Sequence, residues 1–312
     1  MKNKILKTIS RLPILQKYWK GVRKRRILKE HRKVADFWNP VIKSYFNGEI
    51  EKYNLKPKKQ LPENKIIWQY WGQGLEKQEL PEIIRICFDS VDKYKGDYQV
   101  IRLNDKTISD YVELPAFVWQ KRENIAFTRT FFSDLLRSAL LNVYGGVWLD
   151  ATVFLTGSLP ESFRELDYFL YQRSEAEKHK SYWESVYAYY WGWYRGFKVR
   201  MLSSVFFAKK NNSVTSALLD LMLYYWKTQN HLYNYFCFQI LYNELINGNL
   251  AKDQCPIVSD CFPHLLQTKI NGGGDFISKE DLEQVAIHKM AYFEEDALQR
   301  LKDMLKRDSL FI

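Results

Sequence analysis

The sequence predicts an α/β protein built on a mainly parallel sheet, and two observations predict it. The first is the order of NKIIWQYWGQG (64–74), ELPEIIRICFDSVDKYKG (79–96) and YQVIRLN (98–104). The outer two are apolar, strand-like runs. The middle one has helical periodicity, with Pro81 near its first turn and Gly96 at its end. Strand, helix and strand in about 40 residues make a βαβ unit, which requires parallel pairing and places ligands at the carboxyl ends of the strands. The second observation is IAFTRTFFSDLLRSALLNVYGG (125–146), a strongly periodic helix with Gly145 placed as an αL cap, running directly into the strand GVWLDATVFL.

The chain of 312 residues divides at about residue 60 into an N-terminal region with a linker (1–60) and a main domain (61–312). Residues 1–33 hold 13 Lys or Arg against one Glu, whereas the rest of the chain has 34 bases against 35 acids. The formal charge of +11 therefore belongs to an arm. A neutral body argues against nucleic acid as partner. Within the arm Ile5, Ile9, Leu12, Leu15 and Trp19 form an apolar stripe among lysines and arginines, the pattern of an interfacial helix on an anionic membrane; a solvated basic tail is the other reading. Residues 34–60 read as mixed sequence closing in a linker, KPKKQLPEN. No run reaches the roughly 20 apolar residues of a membrane span, and the N-terminus lacks the apolar core of a signal peptide, so the expected location is cytoplasmic, peripheral on the inner membrane face. Cys87, Cys237, Cys255 and Cys261 form no CxxC pair and read as reduced structural thiols.

Further strands are expected at 167–172 and 203–210, and helices near 213–228 and 234–247. Between them lies an aromatic block, SYWESVYAYYWGWYRGF (181–197), whose rings, Trp191 and Trp193 among them, suit a glycan acceptor, a lipid surface or simple core packing.

In the strand after Gly146, alternation sends Trp148, Asp150, Thr152 and Phe154 to one face. A carboxylate at a strand end is costly unless it is paired or coordinates a cation; the alternative is an aspartate capping a turn. On the preceding helix Asp134 and Arg137 share a face among Phe131, Leu135, Leu136 and Leu140, as a mutual salt bridge or a polar grip on a ligand.

SDLLR (133–137), YGGVWLD (144–150) and IIWQYW (66–71) together resemble the capsular-polysaccharide-synthesis glycosyltransferases, a branch similar to the DXD sugar transferases of glycosyltransferase family 32 and to the catalytic core of the large clostridial glucosylating toxins. The resemblance covers roughly residues 62–160, and more loosely the chain through 290; the arm lies outside it. It implies a GT-A (Rossmann-like) fold with a helical N-terminal arm, and a retaining transferase using Mn²⁺ or Mg²⁺. The implied donor is UDP-glucose or UDP-galactose, and the implied acceptor a polyprenyl-diphosphate-linked saccharide.

Residue by residue, the resemblance implies that Trp68 stacks on uracil with Gln69 and Tyr70 beside it. Asp134 and Arg137 hold ribose and sugar hydroxyls, and Trp148 lies near the diphosphate. Asp150 is the first acid of DXD, and Ala151 borders the sugar, where its small size bears on glucose against galactose. Thr152 replaces the second acid, which weakens the metal set and keeps open a non-catalytic, membrane- or polyanion-binding protein with a degenerate core. Asn234 and Gln239 stand where relatives carry Asp and His, as a distal or acceptor site, and Lys289 is positioned to reach the diphosphate. His288 reads as a structural histidine.

Overall fold

The computed structural model describes residues 13–306. The stripe residues Ile5, Ile9 and Leu12, with the side chain of Leu15, lie outside the described residues.

Helix α1 (Pro13–Phe46) is followed by strand β1 (Ile66–Tyr70), helix α2 (Glu82–Tyr94) and strand β2 (Gln99–Leu103), the expected βαβ unit. β1 and β2 pair in parallel from Ile66↔Gln99 to Tyr70↔Leu103. After the short α3 (Ala116–Arg122) comes α4 (Arg129–Tyr144), capped by Thr128, whose hydroxyl accepts from the Phe131 amide at 3.3 Å.

Gly145 and Gly146 turn α4 into β3 (Gly146–Leu149) at φ of 72° and 101°. The ψ of Gly145, −166°, is not the αL cap expected. What demands glycine is crowding: a Cβ on Gly146 would stand 2.4 Å from the Ile66 carbonyl oxygen, and one on Gly145 would stand 2.8 Å from the Lys210 amide nitrogen. β3 pairs in parallel with β1, Trp68 opposite Trp148.

The expected ten-residue strand after Gly146 is broken. Residues 150–152 form a turn in which the Val153 amide donates to the Asp150 carbonyl at 2.8 Å, and β4 (Val153–Leu155) departs from the main sheet. The apolar alternation continues across the break, so the sequence conceals it. The chain then forms α5 (Glu161–Glu165), β5 (Tyr168–Gln172), α6 (Lys180–Val186), β6 (Met201–Ala208), α7 (Ser213–Thr228) and α8 (Cys237–Ile246). It ends in α9 (Leu265–Ile270), α10 (Lys279–Glu283), β7 (Ile287–Lys289) and α11 (Glu295–Lys306).

The main sheet runs β2-β1-β3-β6-β5, and only β6 opposes the common direction. β4 and β7 make a separate antiparallel pair. Trp68 and Tyr70 meet Tyr144 and Phe132 of α4 on one face of the sheet, while Gln69 turns to the other, where Arg102 bonds it and lies over Phe88 of α2. A mainly parallel sheet between helices is the architecture the GT-A expectation requires.

The N-terminal region is more tightly integrated than expected. α1 runs through the first half of the mixed segment, and Ile27, His31, Val34, Trp38, Val41, Ile42 and Tyr45 recur at helical spacing as a buried inner face. The Trp38 indole donates to the Cys237 carbonyl at 3.3 Å, and Asp220 of α7 accepts from the Tyr45 hydroxyl and the Tyr53 amide. Residues 34–60 are thus structural, not a free linker. Lys20, Arg23, Lys24, Arg25, Arg26, Lys29, Arg32 and Lys33 stay exposed along α1, Lys24 and Lys33 lying over the Tyr194 and Tyr233 rings, with Tyr18 and Trp19 beside them.

Candidate active site

The carboxyl ends of β1, β2 and β3 open on one side of the sheet, and the turn after β3 holds Asp150 there. Its Oδ1 accepts from the Trp148 indole at 2.7 Å and faces Arg137 Nη2 at 3.2 Å. Its Oδ2 lies 3.7 Å from Lys289 Nζ, which also donates to the Thr152 hydroxyl. Asp150 and Thr152 therefore meet through Lys289, not through a shared strand face. Lys289 arrives because β7 pairs with β4, Val153 opposite Lys289, and because the Met290 amide donates to the Thr152 carbonyl at 2.8 Å.

Arg137 is buried beneath this turn. Nη1 is paired with Asp134 Oδ1 at 3.0 Å and donates to the Ser203 carbonyl at 2.7 Å, and Nη2 donates to the Ser133 hydroxyl at 3.1 Å. Its guanidinium lies 5.2 Å from the Trp148 ring centroid. One guanidinium cannot fully serve two carboxylates. Burial, opposed by Arg137 but reinforced by the Asp150 charge, raises Asp134 to about 7. Burial acts on Asp150 in the same direction, yet Arg137, Lys289 and the Trp148 and Ser204 bonds together outweigh it and lower Asp150 to about 2. Asp150 stays anionic at neutral pH, and Asp134 exchanges its proton near it.

The structure redistributes several expected roles. Asp134 and Arg137 are 5% and 2% exposed, so they set the position of Asp150 and offer no open surface to sugar hydroxyls. Trp68 is wholly enclosed, its indole donating to the Gly145 carbonyl at 3.0 Å and its ring packed by Tyr111 and Tyr144. No ring face is free for uracil. Gln69 is buried on the far side of the sheet, and Tyr70 is a core residue whose hydroxyl is bonded to Asp105. Trp71, overlooked in the sequence, is only partly buried just past the end of β1, where its amide donates to the Leu103 carbonyl of β2 at 2.9 Å. Trp148 is buried under Arg137, and Ala151 is 6% exposed within the turn.

Gln239, on α8, joins the site indirectly: its amide donates to the Ser203 hydroxyl at 3.1 Å, and the Ser203 carbonyl accepts from Arg137. Asn234 does not join it. Its side chain accepts from the Phe236 amide at 2.8 Å as a local turn bond. His288 is buried at 3.0 Å from the Thr156 hydroxyl, as a structural histidine should be.

Of the readings open to the aromatic block, core packing is the one that Trp183, Tyr190, Trp191 and Phe197 follow. Trp191 and Trp193 lie parallel at 6.1 Å, and the Arg173 guanidinium packs against both, 4.5 and 4.7 Å from their centroids, so an internal arginine and not a ligand meets these rings. The exposed rings are Tyr187 and Tyr189 from this block and Tyr235 from the loop before α8. Tyr187 and Tyr189 are 5.9 Å apart, and Phe236 links Tyr187 to Tyr235 at 6.4 and 5.0 Å. Although 60% of Tyr235 is exposed, its hydroxyl end sits among enough protein, and close enough to the Asp134 and Asp150 charges, to raise its pKa. The three tyrosines form an exposed rim joined through Phe236, and Tyr235 is its member within reach of the Asp134 and Asp150 charges.

A sequence model described as capsular polysaccharide synthesis protein matches residues 17–307. The chain belongs to that family. The match takes in α1 from residue 17, a segment the sequence comparison above placed outside the resemblance. Two solved structures are similar to this capsular polysaccharide synthesis protein. PaToxG glycosyltransferase is 12% identical, with 91% of this chain and 96% of that one covered at a TM-score of 0.35. A glycosyltransferase involved in the glycosylation of the major capsid of PBCV-1 is 13% identical, with 77% and 98% covered at a TM-score of 0.38. No curated protein matches by sequence.

Proposed function

We propose that the chain is a retaining glycosyltransferase of capsular polysaccharide synthesis, moving glucose or galactose from a UDP-sugar to a polyprenyl-diphosphate-linked saccharide. The observation that carries this reading is the Asp150–Lys289 pair, partly open at the carboxyl ends of parallel strands in a member of that family. Ligands of open α/β sheets bind at such ends. Lys289 supplies the positive charge for the leaving diphosphate, and Asp150 and Thr152 hold the ammonium in place. The tyrosine rim faces the acceptor.

Both Asp150 oxygens are engaged, so it is not a free nucleophile. Retention then follows a front-face course. The bond from the anomeric carbon to the diphosphate oxygen breaks as the bond to the acceptor oxygen forms on the same side, and the acceptor proton passes to the departing diphosphate. Incubation of the full-length protein with a panel of UDP-sugars tests the reading through slow, acceptor-independent UDP release. Release is expected from UDP-glucose or UDP-galactose; none from any member of the panel would favour a binding protein without catalysis.

The exposed basic face of α1, with Tyr18 and Trp19, supports peripheral membrane attachment, at roughly 1 kcal/mol per cation near an anionic leaflet. No helix among the described residues is long and apolar enough to cross a membrane. Removal of residues 1–33 would also strip Ile27 and His31 from the core, so surface substitutions are the cleaner probe. Exchanging Arg23, Lys24, Arg25 and Arg26 for serine should release the protein from phosphatidylglycerol vesicles in sedimentation while UDP release continues. Undiminished sedimentation at low salt would remove α1 as the anchor.

A further inference from the structure

The divalent cation implied by the DXD resemblance meets an unsuitable set of ligands. Asp150 is the one carboxylate of the motif that opens on the site, at 24% side-chain exposure; Asp134 is turned inward against Arg137, and the second motif position is Thr152. Among the described residues no group of three or more His, Cys, Asp or Glu is placed to hold a metal. Asp150 Oδ1 is taken by Trp148 and Arg137, and Oδ2 faces the Lys289 ammonium. That ammonium is also bonded to Thr152, so it stands between the two side chains the motif would offer a metal. A divalent ion needs ligand oxygens at about 2.0–2.2 Å and would be brought up against this ammonium and a guanidinium already shared by Asp150 and the inward-turned Asp134, with no carboxylate oxygen left free for it. These residues do not fit a resident divalent cation.

We propose that Lys289 takes the metal's place, so that this chain binds the diphosphate of a nucleoside diphosphate-sugar without a divalent ion. The inference rests on the reading of the site as one for a nucleotide-sugar donor. An ammonium has three donors. Asp150 and Thr152 occupy two directions, and at 21% side-chain exposure Lys289 keeps access to the cleft for a phosphate oxygen. The β4–β7 pair has a clear task here: three residues of β7, returning from the far end of the chain, fix the lysine backbone opposite Val153. Asp150 acts as a positioning residue for this cation, with Arg137 and Trp148 holding the carboxylate from behind.

Calorimetric titration of the full-length protein with UDP, GDP, CDP, ADP and dTDP, each in EDTA and in Mn²⁺, tests this directly. At least one nucleotide should bind in EDTA with a Kd within about threefold of its value in Mn²⁺. Lys289→Ala should weaken that binding by about tenfold or more, the scale of a lost charge-assisted hydrogen bond. Lys289→Arg should retain part of it, and thermal unfolding of each variant serves as the folding control. The double variant Thr152→Asp, Lys289→Ala should become dependent on Mn²⁺, with the bound ion visible by electron paramagnetic resonance. Wild-type binding that is abolished by EDTA and restored by Mn²⁺ overturns the proposal, as does unchanged binding by Lys289→Ala in EDTA. If no nucleotide binds in either condition, the donor reading itself fails and this inference falls with it.

Discussion

Asp150→Ala is expected to lower UDP-sugar turnover by about 10²–10³-fold, the scale seen when one preorganised electrostatic contact at a reacting centre is lost. The carboxylate organises its surroundings: it accepts from Trp148, shares Arg137 with Asp134 and faces Lys289. Without it Arg137 is left to Asp134, and the ammonium keeps only Thr152 as anchor. The fold should survive, because the turn backbone is held separately by the Asp150 amide to the Ser204 carbonyl at 2.9 Å and by the Val153 amide. A stability change is expected in a defined pH window. The folded pKa of about 2 lies below the ordinary aspartate value of 3.8, so the stabilisation from this group is present above about pH 4 and is lost as pH falls toward 2. Unfolding midpoints of wild type and variant should therefore differ at pH 7 and converge at low pH. Near-normal turnover by a folded Asp150→Ala protein would remove this residue from the reaction.

Asp260→Ala should be the most damaging single change away from the site, at about 3–5 kcal/mol, because it strands a buried guanidinium. Arg173 and Asp260 are both fully buried, joined at 2.9 Å through Nη2 and at 3.0 Å through Nε. Arg173 also donates to the Tyr190 and Gly192 carbonyls, and the Tyr190 hydroxyl donates to Asp260 at 3.0 Å. With Trp191 and Trp193 both packed against the guanidinium, one ion pair determines the path of the segment that carries Tyr187 and Tyr189. Urea unfolding should show the loss, and the double variant Arg173→Met, Asp260→Leu should recover much of it by removing both charges together. A loss below about 1 kcal/mol would show that the pair is not the support described.

Much of the fold was legible because periodicity is local. The βαβ unit and α4 announced themselves by spacing, and the paired glycines marked the tight passage into β3. The charges of the site were legible for a related reason: Asp134, Arg137 and Asp150 interrupt apolar surroundings, where an ionised group needs a partner. What the sequence concealed depended on neighbours distant in the chain. Alternation along IIWQY tells which residues share a face, but not that α4 covers the face with Trp68 and encloses its ring. The apolar residues of α1 are diluted by lysines and arginines, so its inner face emerges only against α7 and α8. Nothing near Trp191 and Trp193 signals that Arg173, contributed by the chain just after β5, packs against both. Lys289 was recognised as a phosphate contact, whereas its place against Asp150 and Thr152 depends on a strand pairing across more than a hundred residues.

Hydrogen–deuterium exchange of the full-length protein, with and without the UDP-sugar from which it releases UDP, tests the central claim most directly. Exchange reports local opening segment by segment, and a bound ligand slows it where it makes contacts. Joint protection of residues 148–153 and 287–290 is the result predicted, because the donor diphosphate joins the Asp150 turn to β7. Donor binding that leaves both segments unchanged and protects another surface, such as the basic face of α1, would contradict it.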